Sequence, residues 1–179
     1  GDIAIREYLG QGKGVIGFKP ENINPNSVDL TLNSEMSVYA NRILDCRQKN
    51  EVEKIEMTSE GYVLIPNVIY LATTNETLDL KPMLFEKTIC SRVEGKSSLG
   101  RLGLFIHITA GWIDAGFKGS LVLELTVVQP LKIYPDMKIC QISFMESTEV
   151  EKHYGEKEGS KYQNQIGAQE SKMHENFKK

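Results

Sequence analysis

The sequence predicts an all-β domain, a distorted barrel or jelly roll with a few short helices. Three observations carry that expectation. Short alternating apolar runs recur from Ser27 to Met145, separated by Gly, Pro and Asn turn signals. No strand-then-helix unit repeats, so a parallel α/β sheet is disfavoured. The 179 residues are enough for one domain with a real core. The composition then changes after Glu146, which divides the chain into a core over residues 1–150 and a polar tail over 151–179.

Asp2–Leu9 (DIAIREYL) can form a short helix, with Asp2 as its cap and Gly10, Gly12 and Gly14 ending it. Pro20–Pro25 is a turn region. Ser27–Leu32 alternates, with Val28, Leu30 and Leu32 on one face, and is a half-buried strand. Asp29 reads there as part of the scaffold. Asn41–Ser59 is charged and without periodicity, a surface loop or irregular hairpin. Tyr62–Ile65 and Ile69–Thr74 are short strands around a turn at Pro66-Asn67. Leu78–Leu84 contains Pro82, and Thr88–Val93 is a further strand. Phe105–Thr109 and Leu121–Thr126 alternate, and Leu131–Ile133 and Ile139–Met145 supply the last core strands. Glu149–Lys179 lacks core-forming runs and reads as flexible.

The bulk numbers exclude several classes. Hydrophobic residues make up 40% and charged residues 25%, and the net charge is −3, without the basic excess that a polymeric nucleic-acid binder usually shows. No apolar run approaches the roughly 20 residues of a membrane span. Cys46, Cys90 and Cys140 are isolated and odd in number, which argues for a reducing compartment, the cytoplasm, over a disulfide framework. Cys90 and Cys140 sit in apolar runs and read as small core residues.

The polar residues that interrupt apolar runs concentrate between Val93 and Thr126. Ser97 or Ser98 can cap a short helix whose open N–H groups face an anion, and Arg101 adds a planar cationic fork one turn later. An ordinary cap beside a surface arginine is the blander alternative. The small residues Thr109-Ala110-Gly111 let backbone approach a flat base. His107 alone reads as a core histidine without chemistry. Asp114 is either a turn aspartate bonded to its own backbone or part of a site. In Leu121–Thr126 the leucines share one face, while Val122, Glu124 and Thr126 share the other. An acid there is costly if enclosed without partners, and enclosure would make it a usable proton shuttle.

Three segments together resemble the dCTP deaminase branch of the deoxyuridine-triphosphatase superfamily. They are Gly95–Arg101 (GKSSLGR), His107–Gly119 (HITAGWIDAGFKG) and Leu123-Glu124-Leu125. Pro25–Leu32 is similar to the segment that opens the family core, and Tyr154 with Lys161–Gly167 (KYQNQIG) to its nucleotide lid. The resemblance is close from Val93 through Lys172 and looser before. It implies a dUTPase-like barrel assembled as a homotrimer with sites between subunits, and residues 151–179 as a flexible lid. The implied activity is hydrolytic deamination of dCTP in pyrimidine deoxynucleotide supply. Mg²⁺ is carried by the triphosphate, and dTTP is a possible inhibitor.

The resemblance also implies roles residue by residue. Glu124 is the general base, Ser97, Arg101 and the Ala110 carbonyl orient the water, and Asp114 faces the deoxyribose. Lys96, Ser97, Ser98, Leu99, Gly100 and Arg101 contact the substrate, as do Asp114, Val122, Leu123, Glu124 and Gln141, and the lid residues Tyr154, Lys161 and Gln165. Beyond Gly167 the chain departs from the family lid and reads Ala168-Gln169-Glu170-Ser171-Lys172. Zinc deaminases use a His-x-Glu and Pro-Cys-x-x-Cys set that this chain lacks, so the expected reaction needs no zinc.

Gly111-Trp112 and Gln141 resemble the family type that carries dUTP on to dUMP and diphosphate. There Gly111 is expected to leave space beside the base, with Trp112 adding no charge near the sugar. A deaminase that releases dUTP stays open. So does a plain deoxyuridine triphosphatase, disfavoured by Glu124. A non-catalytic nucleotide-binding regulator is disfavoured because Ser97, Arg101, Asp114 and Glu124 occur together.

Overall fold

The structure, a computed structural model, describes residues 1–80 and 87–178. Helix α1 covers Asp2–Gly10 and buries Ile5, Tyr8 and Leu9, a stripe at helical spacing that puts the Tyr8 ring edge-on to Phe144. Asp2 is not its cap. Gly1 holds that position with no side-chain bond, and the Ile5 N–H donates to the Gly1 carbonyl at 3.1 Å. A capping side chain must reach back from outside the helix, and Asp2 already lies within the first turn, where its charge suits the helix dipole.

Eleven strands follow among the described residues, all paired antiparallel. In chain order they are β1 (Gly14–Ile16), β2 (Val28–Tyr39), β3 (Val52–Glu56), β4 (Tyr62–Leu64), β5 (Tyr70–Asp79), β6 (Thr88–Gly95), β7 (Leu104–Phe105), β8 (Trp112–Ile113), β9 (Lys118–Val127), β10 (Leu131–Ile133) and β11 (Lys138–Ser147). The main sheet runs β7-β9-β5-β2-β11-β6-β8, with β1 on β5 and β3 on β2; β10 and β4 form a second, small sheet. A short helix α2 covers Ser97–Gly100 between β6 and β7. The all-β expectation holds. No described helix is long and apolar enough to cross a membrane.

The core is the inward face of these strands. Val28, Leu30, Leu32, Leu123, Leu125, Ile139 and Ile142 are fully buried there, and Cys90 and Cys140 join them as buried thiols. Burial pushes the Cys140 thiol far above its ordinary range. Glu76 is buried as well, but its carboxylate accepts the Thr31 N–H and hydroxyl, each at 2.9 Å, so no orphan acid remains.

Several elements differ from the sequence pattern. The strand expected at Ser27–Leu32 continues to Tyr39. Its pairing with β5 shifts register between Leu32 and Met36, and Asn75 donates to Thr31, Leu32 and Asp136 around that irregularity. The shift breaks the alternation at Asn33-Ser34-Glu35 without ending the strand. Within Asn41–Ser59 lies β3, an edge strand mostly open to solvent on both faces, which is why no alternation marks it. The two runs flanking Pro66-Asn67 do turn there, with Asn67 left-handed at φ 65°. They do not pair with each other. β4 joins β10, and β5 lies between β2 and β9. Of the Leu78–Leu84 reading, the part beyond Leu80, Pro82 included, lies outside the described residues.

Candidate active site

β9 supplies the centre of the site. Leu121, Leu123, Leu125 and Val127 point into the core, and Val122, Glu124 and Thr126 are half-buried on the opposite face, as the alternation requires. The Glu124 N–H donates to the Ile106 carbonyl at 3.0 Å, and the Glu124 carboxylate accepts the Ile108 N–H at 3.0 Å. The strand expected over Phe105–Thr109 is therefore much shorter. β7 ends at Phe105, and the chain then bends over Glu124, using Ile106 and Ile108 as backbone contacts and leaving Ile108, Thr109 and Ala110 exposed.

Glu124 faces a cleft of about 290 Å³. Ala110, Trp112, Asp114 and Val122 also line it, together with Tyr154, Tyr162 and Gln165 of the tail. Asp114 is exposed at the head of a turn closed by the Phe117 N–H on the Asp114 carbonyl at 3.2 Å, with Gly116 at φ 91°. Trp112 is 57% exposed, so it belongs to the chain's surface and not to its core.

Val122 is distinctive through its backbone. In an antiparallel pair, alternate residues turn both backbone groups to the same edge. Glu124 turns its N–H away from β5 to Ile106, so Val122 does the same. On that outer edge the Ser120 N–H donates to the Gln165 carbonyl at 2.9 Å, and β7 pairs only from Thr126 onward. Val122 lies in the gap between these partners, with its peptide edge turned toward the cleft.

The tail closes the cleft. Gln165 forms a parallel bridge with Gly119 and donates its side-chain amide to the Ser120 carbonyl at 2.8 Å. The Asn164 N–H donates to the Lys118 carbonyl at 2.7 Å, and the Tyr154 N–H to the Ala115 carbonyl at 2.8 Å. The Tyr154 ring packs on Phe117 at 5.7 Å, and its hydroxyl accepts the Tyr162 N–H. Thus the polar tail lies along the core strand in this structure. Lys161 does not line the cleft, and its carbonyl accepts the Lys172 ammonium at 2.9 Å.

A second pocket of about 530 Å³ is lined by Gly95, Lys96, Ser97, Ser98, Gly100 and Gln141. It shares no lining residue with the cleft. Neither serine caps α2. Lys96 holds the cap position without a side-chain bond, and Ser97 and Ser98 are inside the helix with exposed side chains. Gln141 is fixed by the Ser27 hydroxyl at 2.9 Å and by its own donation to the Gly95 carbonyl at 3.2 Å. Arg101 is exposed at the end of α2, while Leu99 packs partly on the core. Leu99, Arg101, Gly111, Leu123 and Lys161 line neither pocket.

Two findings were not visible in the sequence. The Lys96 ammonium bonds Asp29 at 2.5 Å, and Asn24 and Lys138 bond the same carboxylate at 2.9 and 3.3 Å. Burial pushes the Asp29 carboxyl up, but these donors outweigh it and hold the group below the ordinary carboxylate range. The scaffold reading of Asp29 fits, and an acid opposite Gln141 across two core strands is the signal that a partner was needed. Gly111 also departs from expectation. A Cβ there would lie 2.7 Å from His107 Nε2 and 3.0 Å from the Val93 carbonyl, so the space it frees is filled by a histidine ring and not left beside a base. That ring is half-buried, and its Nδ1 has no partner among the described residues, unlike a satisfied core histidine.

A protein-family model described as dCTP deaminase-like matches residues 1–147. The dUMP-forming dCTP deaminase of Clostridium botulinum (strain Eklund 17B) is 44% identical over 178 residues, covering 98% of this chain and 96% of that protein. The protein of the same description from Hathewaya histolytica is 43% identical over 176 residues, covering 97% and 95%. Among solved structures, a 2'-deoxycytidine 5'-triphosphate deaminase from Agrobacterium tumefaciens superposes with a TM-score of 0.64 at 22% identity. That match covers 82% of this chain and 47% of the other, and it bears on the fold alone.

Proposed function

The chain belongs to the dCTP deaminase-like family, and on that premise we propose that it is a dUMP-forming dCTP deaminase. The observation that carries the reading is Glu124, a half-buried carboxylate on a core strand. It faces a cleft edged by the Val122 backbone, Ala110 and Asp114. The net reaction takes dCTP and two waters to dUMP, ammonia and diphosphate.

In the first step Glu124 takes a proton from water, the hydroxide adds to C4 of cytosine, and the proton is returned to the departing amine. The Ile108 N–H on the carboxylate orients one oxygen and leaves the other for the water. The Ala110 carbonyl, Ser97 and Arg101 hold that water. In the second step Asp114 positions another water for in-line attack on the α-phosphorus, and diphosphate leaves. Tyr154 and Gln165 belong to the closing lid, and a shut cleft excludes competing water.

The separation of the two pockets fits a site shared between subunits, with the Ser97–Arg101 segment of one copy completing the cleft of another. Leu102, Phe105, Ile108, Trp112 and Val128, each about half or more exposed, give the surface around α2 and β7 an apolar character that suits a second copy, as in the expected homotrimer. Mg²⁺ enters on the triphosphate. Among the described residues no three His, Cys, Asp or Glu side chains are grouped to hold an ion, and Asp29, an acid beside the Lys96–Gln141 pocket, is taken by Lys96, Lys138 and Asn24.

The test is a single-turnover reaction with dCTP and Mg²⁺, followed by ammonia release and chromatography of nucleotides. Ammonia in step with dUMP and diphosphate is expected. A zinc-selective chelator should leave it unchanged, whereas removing Mg²⁺ should suppress it. Accumulating dUTP without dUMP would leave the deaminase and remove the second step.

A further inference from the structure

The charged loop between β2 and β3 has no part in the reaction described above, yet the end of the tail lies against it. Asn50 makes this loop a fixed turn. Its buried side chain accepts the Asp45 N–H at 3.0 Å and donates to the Asp45 and Gln48 carbonyls at 3.0 and 3.3 Å. The Asp45 carboxylate accepts the Arg47 N–H at 2.8 Å. Lys49 and Arg47 of this turn reach the tail. Lys49 pairs with Glu170 at 3.0 Å, and the Arg47 guanidinium lies 5.4 Å from the centre of the Phe177 ring. The end of β2 adds the Tyr39 hydroxyl, which accepts the Ser171 N–H at 3.1 Å. Glu170 is half-buried, so its pair is screened less than one in open solvent. Its own N–H and the Lys49 ammonium hold its carboxyl below the ordinary carboxylate range.

These contacts bear on the cleft. The Gly167 N–H donates to the Ser120 hydroxyl on β9 at 3.3 Å, and Ser171 reaches Tyr39 on β2, so the tail crosses β5, which lies between them. Tyr39, Gln169, Glu170 and Ser171 line the cleft with Glu124. Lys172 then ties the tail back on itself. Its N–H donates to the Tyr162 hydroxyl at 3.0 Å, and its ammonium lies 5.5 Å from the centre of that ring. Tyr162 lines the cleft too, so holding the tail end also holds this ring. We propose that Lys49 and Arg47 are positioning residues that act through Glu170 and Phe177 to keep this wall of the cleft in place around the nucleotide. This rests on the deaminase reading above. Neither cation lines the cleft, so both act without touching substrate. A wall held in advance lowers the ordering cost of binding. Its loss therefore belongs in KM more than in kcat.

The experiment compares the full-length protein with Lys49→Glu, Glu170→Lys, the two together, and Phe177→Ala. Hydrogen exchange of the tail amides is followed without nucleotide, and KM and kcat are measured for ammonia release from dCTP with Mg²⁺. Lys49→Glu should quicken exchange at Ser171 and Lys172 about 5-fold, because an ion pair is replaced by a like-charge contact. KM for dCTP should rise by a similar factor, with kcat changed less than about twofold. The double reversal should return tail exchange to within about twofold of the unsubstituted protein. Phe177→Ala changes no charge and should raise both exchange and KM about 2- to 5-fold. That arm separates a held wall from an altered field at the triphosphate. Unchanged tail exchange in Lys49→Glu and Phe177→Ala overturns the inference, as does faster exchange with an unchanged KM. A KM that rises in Lys49→Glu alone overturns it as well. Absence of ammonia from dCTP with the unsubstituted protein would overturn the deaminase reading itself, and exchange without nucleotide would still decide whether the turn holds the tail.

Discussion

The two pockets are built on different principles. The Lys96–Gln141 pocket is held by β2, β6 and β11 through the buried Asp29, the Ser27 hydroxyl and the Gly95 carbonyl. The Glu124 cleft has one wall of core strand and another of tail. Among the described residues, buried apolar side chains end at Ile142, and the tail adds Tyr154 and Tyr162 as partly buried rings. It is tied instead by backbone and amide hydrogen bonds to Ala115, Lys118 and Ser120. One pocket can be lost only by disturbing the sheet. The other rests on fewer buried apolar contacts, which fits the lid proposed above.

Substitutions test this contrast between the two pockets. The largest effect is expected from Glu124→Gln, which keeps both pockets and removes the base. Ammonia release should fall on the order of 10²–10⁴-fold, with dCTP still bound in a titration; near-normal turnover would remove Glu124 from the mechanism. Next, truncation before Tyr154 should leave a folded protein with an unchanged far-ultraviolet spectrum. Its turnover should be reduced roughly 10²-fold through lost positioning. A truncated chain that fails to fold would show that the tail is core after all.

Asp29→Asn attacks the rigid pocket. It should cost about 1–3 kcal/mol in denaturant unfolding, because hydrogen bonds to a charged group are lost. The pH dependence gives its sign. The folded carboxyl titrates below the unfolded one, so its contribution is full above about pH 4 and is lost as the pH falls through the lower folded value. The wild type should therefore lose stability more steeply than Asp29→Asn in acid. An identical slope would remove the charge network from the account. The smallest effect is Gly111→Ala, about 1 kcal/mol of overpacking against His107 and the Val93 carbonyl. Measurement of dUMP against dUTP in that variant shows whether the fit of this loop governs the second step.

What the sequence disclosed follows the same division. Alternation in Leu121–Thr126 set Glu124 and Val122 opposite the core leucines because a strand has only two faces. Val28, Leu30 and Leu32 were legible for the same reason, but the strand is not half-buried as expected, since Asp29 and Thr31 on its other face are buried too. Pairing was not legible. Nothing local in Tyr62–Leu64 says that its partner is Leu131–Ile133 and not the next strand along the chain. The Lys96–Asp29 pair was not legible because its members lie 67 residues apart in sequence. The tail looked loose because its attachment uses backbone groups and amides, which leave no hydrophobic pattern. Gly111 suggested space, but which neighbour fills it depends on how the loop folds back.

Under the proposed function, a base set against the open edge at Val122 would make the substrate choice resistant to substitution. Every amino acid except proline has the same N–H and C=O. A base read there is read by the path of the strand and not by the side chain at that position. Most replacements at 122 that keep β9 in register would preserve the recognition, and proline alone would delete its donor. Selectivity of that kind is insulated from single-letter drift, so altering it calls for moving the strand itself.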